Sequence, residues 1–161
     1  MTPKLKIAAI VAAAILIYLL AEFLIVTDRE RLETTINDLH RVVEKADADK
    51  AIAFIAPDYH FQDKSRDELL EFGQRMFKLT GPMKIKILEE KLNVNGSLAV
   101  YESSILAALS NPGGDVPYAG GQVPSQWRLS FKKEGDKWLI YQVEPISLFN
   151  QPVRTLDALI R

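Results

Sequence analysis

Residues 57–63 read PDYHFQD and set a histidine and two aspartates within one short stretch. A histidine can carry a proton, and a nearby carboxylate can orient its ring or act as a general base. Geometry decides whether they cooperate. If residues 59–63 form a strand, Tyr59, Phe61 and Asp63 share one face while His60 and Gln62 share the other. His60 and Asp63 then point apart, and only a bulge would reunite them. The expectation is an ordinary strand with no catalytic residues. If the chain is an enzyme, Asp63 and His60 are the residues to carry it. Tyr59, Phe61 and Asp63, with Tyr101 and Trp127, are the candidates to line a ligand pocket.

Other constellations are weak. Two histidines far apart, with no paired spacing on a helix, make a poor metal site, and no metal or cofactor is expected. Ser103–Ser104 lacks the glycines of a nucleophile elbow. The glycine pairs 113–114 and 120–121 follow no phosphate-loop spacing. His40 sits beside an apolar helical stripe and reads as a surface or boundary residue. Tyr101 and Ser103 share a strand face, and tyrosine there commonly packs in the core with its hydroxyl at the rim. Trp127 and Trp138 read as fillers of sheet faces.

The elements that must hold these residues are legible from periodicity. Residues 7–26, IAAIVAAAILIYLLAEFLIV, are twenty apolar positions broken only by Glu22, and as a helix they rise about 30 Å, a bilayer's hydrocarbon thickness. They predict an uncleaved transmembrane helix. Lys4 and Lys6 ahead of it place the N-terminus in the cytoplasm and the domain outside, in the periplasm of a bacterium. Glu22 lies near the span's end, where a carboxylate is tolerated at the interface or beside a partner.

After the span, TDRE is a capping box, with Thr27 as cap and Glu30 reaching back. Leu32, Ile36, Leu39 and Val43 then form a helical stripe. DADK interrupts it, and a short helix follows that stops before Pro57. A second box, SRDE, starts a helix lined by Leu69, Phe72, Met76 and Phe77 and ended by TGP. Periodicity then changes to two. MKIKI turns Met83, Ile85 and Ile87 inward; NVNGS turns the chain; LAVYESSILAAL, QWRLSF and WLIYQV are further strands, with KEGDK as a hairpin. Residues 110–126, with four glycines and three prolines, read as a long loop. The prediction is an α+β domain, helices on one face of a curved antiparallel sheet, over residues 28–147. A tail over 148–161 carries Val153, Leu156, Leu159 and Ile160 at helical spacing after Pro152, a short amphipathic helix in want of a surface.

Composition narrows the partners. The chain has 161 residues and no cysteine, which excludes disulfides, thiol chemistry and cysteine metal sites. Setting aside Lys4, Lys6 and Glu22 takes the 20 basic and 21 acidic residues to 18 and 20, a net charge of −2. A near-neutral domain without a basic stripe is a poor nucleic-acid binder. The expected partners are membrane lipid through residues 7–26 and either other membrane subunits or a second copy. Glu22, Leu156, Leu159 and Ile160 are the candidate contacts.

The stretch DADKAIAFIAPDYHFQD, the capped helix after it and the closing WRLSFKKEGDKWLIYQVEP resemble the NTF2-like superfamily, which includes ketosteroid isomerase and SnoaL-type cyclases. The resemblance covers about residues 28–147. It implies a cone of helices on a curved sheet, a pocket between them and, in many members, dimers through the outer sheet face. It places a general-base aspartate at Asp63, but Lys64 stands where those enzymes have proline. Leu39 falls where they carry an oxyanion tyrosine, and Trp127 near their second donor. A base without preorganised donors lacks what is usually the largest catalytic term. With its anchor the chain also resembles periplasmic assembly proteins and Mce-associated membrane proteins, which are interaction subunits. The expected function is therefore a single-pass, inner-membrane accessory or scaffolding subunit and not an enzyme. The alternative is a tethered binder of a small apolar ligand, or an isomerase- or dehydratase-like enzyme using Asp63.

Overall fold

Two capping boxes start the long helices where the sequence places them. In the computed structural model, which describes residues 15, 27–61, 64–111, 114–117, 123–148 and 151–152, helix α1 spans Asp28–Glu44. The Thr27 N–H donates to Glu30 Oε2 at 2.7 Å, and Glu30 N–H donates back to Thr27 Oγ1. Leu32, Ile36 and Leu39 of its stripe are all buried. The helix ends at Ala46, a non-glycine residue at φ +55, with Ala46 and Asp47 N–H groups returning to the Val43 and Val42 carbonyls. Asp47 then caps α2 (Ala48–Ala51), which runs into a 3-10 turn at Ile52–Phe54. The chain divides into two units, Met1–Glu33 and Thr34–Arg161; the sheet and the remaining helices belong to the second.

Helix α3 (Arg66–Thr80) follows the second box, in which Ser65 Oγ accepts from Glu68 N–H and Glu68 accepts from Ser65 N–H. Gly81, at φ +64, ends it, in a conformation that costs glycine little. The Arg66 guanidinium reaches back to the carbonyls of Ile52, at 3.0 Å, and Ile55, at 3.3 Å. It thereby ties the start of α3 to the end of the 3-10 turn.

The large sheet is antiparallel, in the order β3-β4-β6-β7-β8, with β5 beside the end of β4. Its strands are β3 (Met83–Asn95), β4 (Leu98–Asn111), β5 (Gly114–Pro117), β6 (Ser125–Glu134), β7 (Lys137–Leu148) and β8 (Gln151–Pro152). Three sequence expectations need correcting here. The turn after β3 is only Gly96–Ser97 rather than NVNGS, because Gly96 takes a positive φ and the flanking residues Asn95 and Leu98 pair directly. The segment expected as one long loop holds β5, which extends the sheet by pairing Gly114 through Pro117 with Asn111 through Ala108. Gln151–Pro152, expected to lead into a helix, pairs with Leu148 and Ser147 instead. The rest of the tail, 153–161, lies outside the described residues, as does the expected span 7–26 apart from Ile15. Among the described residues no helix is long and apolar enough to cross a membrane.

Two bulges shape β7. Its register against β6 shifts between Gln126 and Trp127 and again between Ser130 and Phe131, leaving Ile146 and Tyr141 as extra residues. Bulges bend a strand and increase its local twist. The face of the sheet that carries Ala99, Tyr101, Phe131, Trp138 and Ile140 is buried. On the other face Arg128 bridges two carboxylates directly across the strands, Glu102 and Glu144, each at 2.9 Å. All three are more than a third exposed, so the ladder contributes little stability and marks a solvated face.

Candidate functional site

The expected strand over residues 59–63 is shorter than its pattern suggests. Only His60–Phe61 is strand (β1), and it pairs with Lys64–Ser65 (β2) in a two-stranded sheet of its own. Pro57 and Asp58 form a turn, Tyr59 N–H bonds back to the Ala56 carbonyl, and Ser65 is already committed as the cap of α3. Tyr59 itself stands before the strand, and the face it would share falls on Phe61 and Asp63, whose side chains lie outside the described residues. Asp63 lies outside the described residues, and for His60 and Phe61 only the backbone is described. Glu22, Leu156, Leu159 and Ile160 lie outside them as well.

The remaining pocket candidates are placed. Tyr59 is buried and its hydroxyl makes no geometrically complete hydrogen bond among the described residues. Burial pushes its phenol up to about 12, with the Val143 backbone N–H opposing slightly. Trp127 is half-buried and stands opposite Ser103 on β4 and Pro145 on β7. Trp138 is buried, with its indole N–H unpartnered among the described residues. Tyr101 is buried, as its core reading expects, and it anchors a polar cluster that the sequence reading did not assemble.

Tyr101 donates its hydroxyl hydrogen bond to Glu90 Oε2 at 3.0 Å. Burial first, and then Glu90, hold the phenol far above its ordinary pKa, so it stays protonated. His40, from α1, tilts against the same ring, with centroids 6.0 Å apart and planes at 53°. Burial holds its pKa below the ordinary 6.5, although Glu90 and Glu44 both pull the other way. Glu44, one turn further along α1, accepts the Ile85 backbone N–H at 2.9 Å. The end of α1 is thus fastened to the outermost strand of the sheet by a carboxylate that also faces the histidine.

A single extra residue brings Glu90 to this place. The β3–β4 register shifts between Ile87 and Glu89. Before the shift, Met83, Ile85 and Ile87 are the less exposed positions of β3; after it, Leu92 and Val94 are. Glu90 then stands opposite Ser103, on the face that holds Tyr101. The signal was present in the sequence as a switch of apolar residues from odd to even positions. Beside the cluster, Glu44, Lys84, Ile85, Lys86, Leu106, Ala107 and Ala108 line a shallow cleft of about 460 Å³. Among the described residues no group of three or more histidine, aspartate or glutamate side chains could hold a metal ion.

The cluster makes a pH prediction. His40 binds its proton less readily in the fold than in the unfolded chain, so on acidification through the ordinary value of 6.5 the unfolded state takes up the proton first. Stability present at neutral pH is therefore lost as pH falls from about 6.5 toward the lower folded value. Urea titrations of the full chain in detergent at pH 7.5 and 5.5, followed by tryptophan fluorescence, should show a loss that His40→Gln reduces. An equal loss in both proteins would disprove the assignment.

No protein-family profile matches the sequence, and no curated protein sequence matches it. Solved structures do resemble the fold. A suggested dehydratase of the NTF2-like family from Streptomyces avermitilis is 14% identical, with 80% of this chain and 97% of that one covered and a TM-score of 0.60. An NTF2-like protein with a cystatin-like fold from Novosphingobium aromaticivorans is 16% identical, covers 82% and 85%, and scores 0.55. A function-unknown protein from Mycobacterium tuberculosis is 13% identical, covers 79% and 72%, and scores 0.58. At such identities the likeness speaks for architecture alone. The α+β arrangement of helices and a bulged antiparallel sheet described above is the NTF2-like fold.

Proposed function

We propose that this chain is a single-pass membrane protein whose NTF2-like domain lies outside the cytoplasm and serves as an accessory or scaffolding subunit of a membrane assembly. The observation that carries this reading is how the inner face is used. Leu39, where an isomerase-like member would need an oxyanion donor, is a buried leucine of the α1 stripe. Tyr101, the buried phenol on that face of the sheet, has its hydroxyl engaged with Glu90 inside the fold. Donors that must meet developing charge in a transition state are either absent from these positions or already bonded. The membrane part rests on the apolar run of residues 7–26 and on Lys4 and Lys6 before it.

The alternative, a tethered binder of a small apolar ligand or an isomerase- or dehydratase-like enzyme using Asp63, draws on the polar cluster around Tyr101 and on the description of the Streptomyces neighbour. One experiment separates the two. Tagged full chain is expected to resist alkaline extraction from membranes and, after mild solubilisation, to migrate in an assembly larger than itself. Asp63→Asn and His60→Ala should leave both properties unchanged. Release by alkali overturns the anchor. Loss of the assembly in Asp63→Asn, or a chain that migrates alone, favours the ligand reading.

A further inference from the structure

Strand β3 ends the large sheet, with β4 on one side and no strand on the other among the described residues. A sheet edge offers N–H and C=O groups to any strand that can lie along it. In an antiparallel ladder the backbone groups of every second residue point away from the partner strand. Ile85 shows which residues those are on β3. It stands opposite Ala107, yet its N–H is held by Glu44 Oε1 at 2.9 Å. Met83, Ile85 and Ile87 therefore direct their backbone groups outward, and Lys84 and Lys86 direct theirs at β4.

The stretch MKIKI reads nearly the same in both directions about Ile85. Turned about a two-fold axis there, a second copy would set its Ile85 on Ile85 and its Met83 on Ile87, all on one face. The central pair would exchange two backbone hydrogen bonds. A strand that matches itself this way identifies its occupant as another copy of the same strand. Three features oppose the pairing. Glu44 holds the central N–H. Lys84 and Lys86, both exposed, would each stand opposite a lysine of the second copy, and like charges directly opposite are destabilising. The bulge at Leu88 ends regular pairing just beyond Ile87. Glu44 alone among these is supplied by another element, the end of α1, and its half-buried carboxylate borders the open cleft beside Lys84 and Lys86.

We infer that Glu44 is a gate on this edge. It occupies the amide through which a second copy would add its own β3, and its withdrawal lets two copies join antiparallel about Ile85. The inference goes beyond the accessory role, because it names an edge on which copies of the chain can meet and the side chain that keeps them apart.

The chain has no cysteine, so an introduced disulfide reads this contact alone. Position 84 of one copy and position 86 of the other would form the close, non-hydrogen-bonded kind of pair, with Cα atoms about 4.5 Å apart and within disulfide reach. Full chain carrying Lys84→Cys/Lys86→Cys is oxidised in mild detergent and its covalent dimer measured without reductant. Adding Glu44→Ala frees two backbone hydrogen bonds per pair and should raise the dimer roughly tenfold. Glu44→Asp, a methylene too short to reach Ile85, should raise it as well. Glu44→Gln keeps an acceptor oxygen and should leave it low. In Glu44→Ala with both lysines native, hydrogen exchange over residues 83–87 should be faster than in the unaltered chain when dilute and slow again on concentration. Dimer yields that are equal with and without Glu44, whether high or absent, overturn the gate, and so does exchange indifferent to concentration.

Discussion

Phe131→Ala is expected to cost about 3–5 kcal/mol of stability, the range for truncating a fully buried phenylalanine. Phe131 is 0% exposed, between Ala99 on β4 and Ile140 on β7. Its neighbours cannot follow it inward. Both flanking strands are fixed by ladder hydrogen bonds, and Ala99 offers only a methyl group, too short to fill the space. The cavity would therefore remain open, which places the loss toward the upper end of the series. Leu98→Ala, at a side chain 51% exposed, is the control and should change stability by less than about 0.5 kcal/mol. Urea unfolding of both variants gives the comparison. A loss below about 1 kcal/mol for Phe131→Ala would mean that this face of the sheet is not the core.

The second large effect is at Arg66. Its guanidinium donates to the carbonyls of Ile52 and Ile55 where the 3-10 turn ends, the first of which also accepts the Ile55 N–H. Hydrogen bonds from a charged donor contribute about 1.5–3 kcal/mol, and Arg66→Ala should lose an amount in that range. The discriminating variant is Arg66→Lys. A planar fork spans two carbonyls, whereas a single ammonium on a flexible stem serves them poorly, so lysine should recover only part of the loss. Hydrogen exchange should localise the damage to residues 52–56 and the first turn of α3. Full recovery with lysine would show that charge alone, not the bridging geometry, holds the turn.

Legibility followed the range of the forces involved. Both capping boxes, the α1 stripe and the hairpin at Gly135 depend on residues within a few positions of one another, and each was readable as a pattern. The two-residue strand at His60–Phe61 was not. Its length is fixed by a turn before it and by Ser65 being claimed as a helix cap after it, so alternation alone overestimates it. β5 and β8 were missed because Pro-flanked and Gly-rich stretches read as loops, and only the neighbouring strand's open edge makes them pair. At the site, Tyr101 was singled out correctly as a core residue with a polar end. Its partners were not, since Glu90 and His40 reach it from elements 11 and 61 residues away in sequence. A tertiary meeting of that kind leaves no local spacing. The odd-to-even switch along β3 was the one trace it left.

That switch also restricts how the strand can change over descent. With Leu88 as the unpaired extra residue, Glu90, Leu92 and Val94 face one side of the sheet. Removing Leu88 alone would leave Ile87 opposite Ile105 and Glu89 opposite Ser104 in one continuous register, so every side chain would keep its own face. Removing a single residue between Glu90 and Val94 would instead turn the residues on one side of the deletion to the opposite face. Among descendants of this sequence, single-residue losses in β3 should therefore fall at the bulge, while losses elsewhere in the strand come in pairs.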